Sequence, residues 1–138
     1  MADRAFKLEV ITPDRMVISD THIVSVSIPG VEGYLGVLAN HAPMMTEMAI
    51  GKLELHRADG TSDIMAISDG FVEIFENQVT VLAESAELAK EIDIERAEEA
   101  AHRAEERLAS NTPDIDTERA QIALERALNR LNVARYGG

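Results

Sequence analysis

Residues 78–97 read QVTVLAESAELAKEIDIERA, and the fold turns on where the apolar period changes within them. The first six, QVTVLA, alternate apolar and polar side chains as a half-buried strand does. Near residue 87 the period lengthens. Ile94, Ala97, Ala101, Ala104 and Leu108 recur at helical spacing, and so do Ala120, Ala123, Leu124, Ala127, Leu131 and Ala134. Between these two runs lies SNTPDID (110–116), with the only proline after residue 43. This pattern predicts an αα-hairpin, two antiparallel helices around a short loop.

Working towards the N-terminus, strand-type alternation recurs between turn signals. FKLEVI (6–11) puts Phe6, Leu8 and Val10 on one face. VSVSI (24–28) aligns Val24, Val26 and Ile28 before a turn expected at Pro29-Gly30. KLELH (52–56) aligns Leu53 and Leu55, and Ala58-Asp59-Gly60-Thr61 supplies a hairpin turn. DIMAIS (63–68) runs into a break at Asp69-Gly70, and FVEIFE (71–76) runs into a corner at Glu76-Asn77. Short strands at this spacing, with no helical period among them, predict an antiparallel sandwich or barrel. The expected fold is α+β: an antiparallel β-sandwich over 1–86 followed by a two-helix hairpin over 87–138.

The frame Ile-Asp-x-x-Arg-Ala occurs twice, at 92–97 and 115–120. Asp93 and Asp116 each stand where a helix N-cap belongs, with Glu95 and Glu118 in the first turn near the positive end of the helix dipole. A cap and a ligand site are compatible, because a helix N-terminus also attracts anions. Arg126 and Arg130 are four apart on one face of the second helix. With Arg96 they can surround a polyanion, or they can pair with carboxylates, for which Glu125 and Glu95 are candidates. The apolar stripe of both helices is mostly alanine, worth roughly 0.8 kcal/mol per methyl-sized group on burial. Ala, Glu and Arg also favour helix intrinsically. Each helix should be good by itself and only weakly attached to its partner.

Composition removes other classes of function. The chain is 46% hydrophobic and 28% charged, with net charge −12, two Tyr, three Phe and no Trp. Base stacking and phosphate-backbone binding need aromatics and clustered cations, so nucleic acid is not an expected partner. There is no cysteine and hence no thiolate metal site. His22, His41, His56 and His102 lack ligand spacing. Gly30, Gly33 and Gly36 are not followed by Lys-Ser/Thr, so their loop is no P-loop. No nucleophile elbow is present, and catalysis by the chain itself is not expected. No apolar run approaches the roughly 18 residues that span a bilayer, and no secretory signal opens the chain. Met44, Met45 and Met48 suit either an interface or a core.

LEVITPDRMV (8–17), VEGYLGVLANHAPMMT (31–46), SDGFVEIFENQVTVLAESAE (68–87) and the two-helix tail together resemble the epsilon-subunit family of bacterial and chloroplast-type F-type ATP synthases. The resemblance covers nearly the whole chain. It implies a subunit of the central stalk of a proton-translocating enzyme, peripheral on the cytoplasmic face of the bacterial cell membrane. The sandwich would meet the gamma subunit and the c-subunit ring. The hairpin would either lie folded on the sandwich or extend towards the alpha and beta subunits and inhibit hydrolysis. In some bacterial members the folded hairpin binds ATP through this same frame. That implies ATP contacts at Glu87, Ile92, Asp93, Arg96, Ala97, Arg126 and Arg130, with ATP a regulatory ligand and no cofactor required. The frame at 115–120 keeps its capping role alone. Tyr34 stands where several relatives carry an acidic residue, so a charged contact to the c ring is not transferred there. The alternative is a rotor-coupling subunit with no functional ATP binding.

Overall fold

The computed structural model describes residues 4–110 and 116–137. Seven strands are formed among the described residues: β1 Phe6–Ile11, β2 Met16–Gly30, β3 Gly33–Leu38, β4 Met44–Met48, β5 Gly51–Arg57, β6 Ser62–Phe75 and β7 Gln78–Leu88. They pair around a closed circuit, β1 with β2, β2 with β5, β5 with β6, β6 with β7 and β7 with β1. β3 and β4 are added on β2 and β6. All pairs are antiparallel except β1 with β7, which run parallel. Alternation supplies the core, where Leu8, Val10, Leu53, Leu55, Val79 and Val81 are buried. Two turns form where their chemistry predicts. Gly60 at φ 90 closes β5 onto β6, and Glu76 and Asn77, at φ 48 and 60, make the two-residue connection from β6 to β7.

Two turns expected from the sequence are not turns. β2 continues through Pro29-Gly30, where Gly30 pairs with Gly33, so the chain reverses at Val31-Glu32 instead. An irregularity between Ile23 and Ser25 also shifts the phase of β2, and Ile23 takes the core place expected of Val24. Asp69-Gly70 lies inside the single long strand β6. The ladder pairs Ser68 with Ser85 and Gly70 with Ala83 in unbroken register, but skips Asp69 and Glu84. At this kink both strands exchange faces. Met65 and Ile67 point into the sandwich before it, Val72 and Ile74 after it. Asp69 has φ 45 and Gly70 has φ 133. A Cβ on Gly70 would run into the carbonyl oxygen of Leu82, so glycine is required. One strand thereby lines the core at both ends while turning its 64–68 stretch towards the helices.

After a 3-10 turn over Ala89–Glu91 come helices α1 Ile94–Ala109 and α2 Thr117–Gly137. The expected hairpin is formed, and the part of its loop at 111–115 falls outside the described residues. α1 buries Ala97, Ala101 and Ala104, whereas Ile94 and Ala123, expected on the buried stripe, are exposed. α2 serves two neighbours. Ala127 and Leu131 pack with Ala97 and Ala101 of α1. Val133 and Ala134 pack with Ala66 of β6, Ala89 and Ile92. Val133 is fully buried and absent from the expected stripe, because it lies on the neighbouring helix face turned to β6. Its burial contributes about 2 kcal/mol to holding the hairpin down.

Candidate functional site

The seam between α2 and the sandwich is polar. Arg126, Asn129, Arg130 and Val133 follow i, i+3, i+4, i+7 and share the helix face turned to β6 and β7. Arg126 Nη2 donates to Asp69 Oδ2 at 2.6 Å. Asn129 Nδ2 donates to the Gly51 carbonyl at 2.8 Å. Arg130 reaches both oxygens of Glu87, with Nη2 donating to Oε2 at 3.2 Å and Nε lying 2.7 Å from Oε1. The Nε contact is an ion pair without a well-aimed hydrogen bond. The two arginines differ in surroundings. Arg130 and Glu87 are 24% and 33% exposed, Arg126 and Asp69 45% and 49%.

Both Ile-Asp-x-x-Arg-Ala frames are caps of the same geometry. The Arg96 amide donates to Asp93 Oδ1 at 3.1 Å, and the Arg119 amide donates to Asp116 Oδ1 at 3.1 Å. The first frame adjoins the seam near Arg130, and the second lines a groove beside Arg126. In the first frame Ile92 shares a cluster with Val133 and Ala134, and Ala97 shares one with Ala127 and Leu131. These contacts bracket Arg130 in sequence, so the start of α1 and the α2 arginines flank one junction. Asp93 and Arg96 are exposed. Among the described residues the Arg96 guanidinium makes no hydrogen bond or ion pair and stays free for an anion.

The structure therefore brings Glu87 and Arg130 into contact and buries Ile92 and Ala97 beside them. It joins neither Asp93 nor Arg96 directly to Arg126 or Arg130. The carboxylates that pair with the arginines are Asp69 and Glu87 of the sandwich, not Glu125 and Glu95 as the helical spacing suggested. Glu125 and Glu95 point to solvent. Sequence reasoning missed Asn129, although its spacing from Arg126 and Arg130 signals a shared face. Asp69 carries no such signal, because an Asp-Gly pair breaks the alternation in the same way whether the chain turns or kinks.

Ser68, Ser85, Glu87, Arg126, Asn129 and Arg130, with Ala66 and Ile67, enclose a cavity of about 20 Å³, the size of one water. Ser68 and Ser85, which both line it, hydrogen-bond each other at 2.6 Å. A groove of about 380 Å³ opens beside Arg126, lined also by Asp116, Glu118, Arg119, Ile122 and Ala123. No residue of the first frame lines it, and its acidic members oppose a phosphate chain. Among the described residues no three His, Cys, Asp or Glu side chains converge as a metal site. No described helix is long and apolar enough to cross a membrane.

Away from the seam, the outer face of β4, β6 and β7 carries Met45, Phe71, Phe75 and Leu82, all more than half exposed. In register Phe71 stands beside Leu82 and Glu47, and Met45 beside Glu73. Large apolar side chains grouped on one sheet face mark an interaction surface.

Fold and seam together define a class, a β-sandwich carrying an αα-hairpin docked on it through arginine–carboxylate pairs. A family model described as the beta-sandwich domain of the ATP synthase delta/epsilon chain matches residues 5–89, and one described as the long alpha-helix domain of that chain matches residues 90–135. The ATP synthase epsilon chain of Pelotomaculum thermopropionicum is 51% identical over 134 residues, covering 97% of this chain and 98% of that one. That of Carboxydothermus hydrogenoformans is 51% identical over 113 residues, covering 82% of each. A chain of the Euglena gracilis mitochondrial ATP synthase assembly of OSCP, F1 and c-ring superposes with TM-score 0.78 at 27% identity, covering 94% of this chain and 80% of that chain. The chain belongs to the ATP synthase epsilon-chain family.

Proposed function

We propose that this chain is a non-catalytic component of the central stalk of a proton-translocating ATP synthase, with a hairpin whose folded state binds ATP. The sandwich would couple the rotor, meeting the gamma subunit through the apolar face around Met45, Phe71 and Leu82 and the c-subunit ring through the glycine-rich loop. The complex would stand on the cytoplasmic face of a bacterial membrane. The extended hairpin would reach the alpha and beta subunits and hinder hydrolysis.

One observation carries the regulatory part. The hairpin is fastened to the sandwich by Arg126 and Arg130, two of the residues that the family resemblance gives to ATP, while its own helix–helix packing is largely alanine. A ligand that bound these arginines together with the start of α1 would exist only on the folded form. By mass action, ATP at 100 times its dissociation constant would favour that form by about 2.7 kcal/mol. This is comparable to one buried valine and enough to reverse a weak balance. When ATP falls the arm would be released. Calorimetric titration of the chain with ATP should show binding that Asp93→Ala or Arg126→Ala weakens severely. Unchanged affinity in both variants would remove the site.

A second reading has its own support, since both arginines already have carboxylate partners without any nucleotide. The pairs would then be a docking latch only, and the hairpin would answer to protein partners. The same titration separates the two readings, because a pure latch gives no heat with ATP.

A further inference from the structure

Arg126 and Arg130 are held in different ways, and the difference separates their roles. Arg130 grips two oxygens of Glu87 in the less exposed part of the seam. Arg126 gives one N–H to one oxygen of Asp69, and both partners are nearly half exposed. Exposed single-contact pairs contribute little and exchange readily. Asp69 is also held out from the sandwich by its backbone. It stands at the kink where β6 and β7 exchange faces, in the left-handed region at φ 45, before a glycine whose replacement would press a Cβ against the Leu82 carbonyl. Ordinary alternation would assign this position to one sheet face or the other. The kink instead delivers a carboxylate to the second helix.

We propose that Asp69 is a resident stand-in for phosphate at Arg126, a positioning residue that holds the guanidinium while nucleotide is absent and that the ligand must displace. This rests on the ATP-site reading above and adds the group that sets its affinity. Carboxylate and phosphate oxygens are alternative acceptors for the same N–H donors. They cannot share one edge of a guanidinium without like-charge repulsion at a few ångströms. Arg130 is the fixed anchor and Arg126 the exchangeable one. While the ligand-free arm is folded its phosphate-facing charge is neutralised, and the nucleotide takes over that counter-charge instead of meeting a bare cation. Affinity is tuned downwards by this competition, so the ligand is released when its concentration falls.

Asp69→Asn tests this on the full chain, since asparagine tolerates the left-handed backbone and keeps the shape while losing the charge. Calorimetric titration should give at least about tenfold tighter ATP binding than wild type, equivalent to about 1.4 kcal/mol. The gain should shrink as salt rises, because the repulsion acts between exposed charges. It should vanish in the Asp69→Asn/Arg126→Ala double variant, because it runs through Arg126. Wild type binding ATP while Asp69→Asn binds equally or more weakly would overturn the proposal and leave the site reading intact. A gain that persisted without Arg126 would also overturn it. No binding by either wild type or Asp69→Asn through millimolar ATP would overturn both.

Discussion

Replacing Arg130 by methionine keeps the aliphatic stem in the seam and removes the charge from Glu87. The cost follows from exposure. A fully exposed pair is worth about 0–1 kcal/mol, and breaking a buried one costs about 3–5 kcal/mol because a charge is stranded. Arg130 and Glu87, at 24% and 33% exposure with two oxygens engaged, fall between these limits. About 2 kcal/mol is expected, or roughly thirtyfold in the docking equilibrium. Arg126→Met breaks the more exposed, singly bonded pair and should cost no more than about 0.5 kcal/mol, roughly twofold. The chain lacks cysteine, so two introduced thiols can be labelled without background. Glu73 on the outer sheet face and His102 on α1 are both exposed and serve as sites. Pulsed electron-spin distances between them, followed through a urea ramp below the melting of the sandwich, report the undocked fraction without nucleotide. Arg130→Met should open the hairpin at distinctly lower urea than wild type, and Arg126→Met close to wild type. If Arg126→Met opened the arm as readily as Arg130→Met, the division into anchor and exchangeable contact would be wrong.

The twin caps offer a matched comparison. Asp93→Ala and Asp116→Ala should each cost about 1 kcal/mol of helix stability, but only Asp93→Ala should abolish ATP binding in a titration. Gly70→Ala forces a side chain against the Leu82 carbonyl at φ 133 and should destabilise the sandwich by about 3 kcal/mol or more, read as a large drop in melting temperature. In the sandwich, Arg57 donates to Asp20 at 2.8 Å and to Asp63 at 2.7 Å. Burial by itself would raise the Asp20 pKa, but the hydrogen bond from Arg57, the His22 amide and the nearby positive charge together hold it below its ordinary 3.8. A depressed carboxylate contributes stability above its ordinary pKa and loses it as pH falls through the folded value. Wild type should therefore lose melting temperature more steeply than Asp20→Asn below about pH 3.8; parallel profiles would dismiss the assignment.

Local chemistry made much of the architecture readable. The alternation of Phe6, Leu8 and Val10, the Asp59-Gly60 and Glu76-Asn77 turns and the change to helical spacing after residue 87 each depend on residues close in the chain. So do the caps at Asp93 and Asp116, whose hydrogen bonds reach only three residues. Misreadings came where a distant neighbour decided the outcome. Val24 yielded its core place to Ile23 through an irregularity in pairing with β5. Asp69-Gly70 looked like a turn because glycine after aspartate breaks alternation, and the local signal for a reversal and for a kink is the same. Only pairing with β7 distinguishes them.

By itself the sequence determined a sandwich followed by a two-helix hairpin with an alanine-rich seam, the family to which the chain belongs, and the face on which Arg126 and Arg130 stand. Periodicity, turn residues and caps are properties of neighbours along the chain, so they survive without tertiary knowledge. The structure alone decided what the arginines touch. Asp69 and Glu87 lie 57 and 43 positions from their partners, and the Asp69 contact depends on a face exchange shared by two strands. Helical spacing limits a side chain to one direction. Which carboxylate meets it is set by how the hairpin folds back over the kinked ribbon.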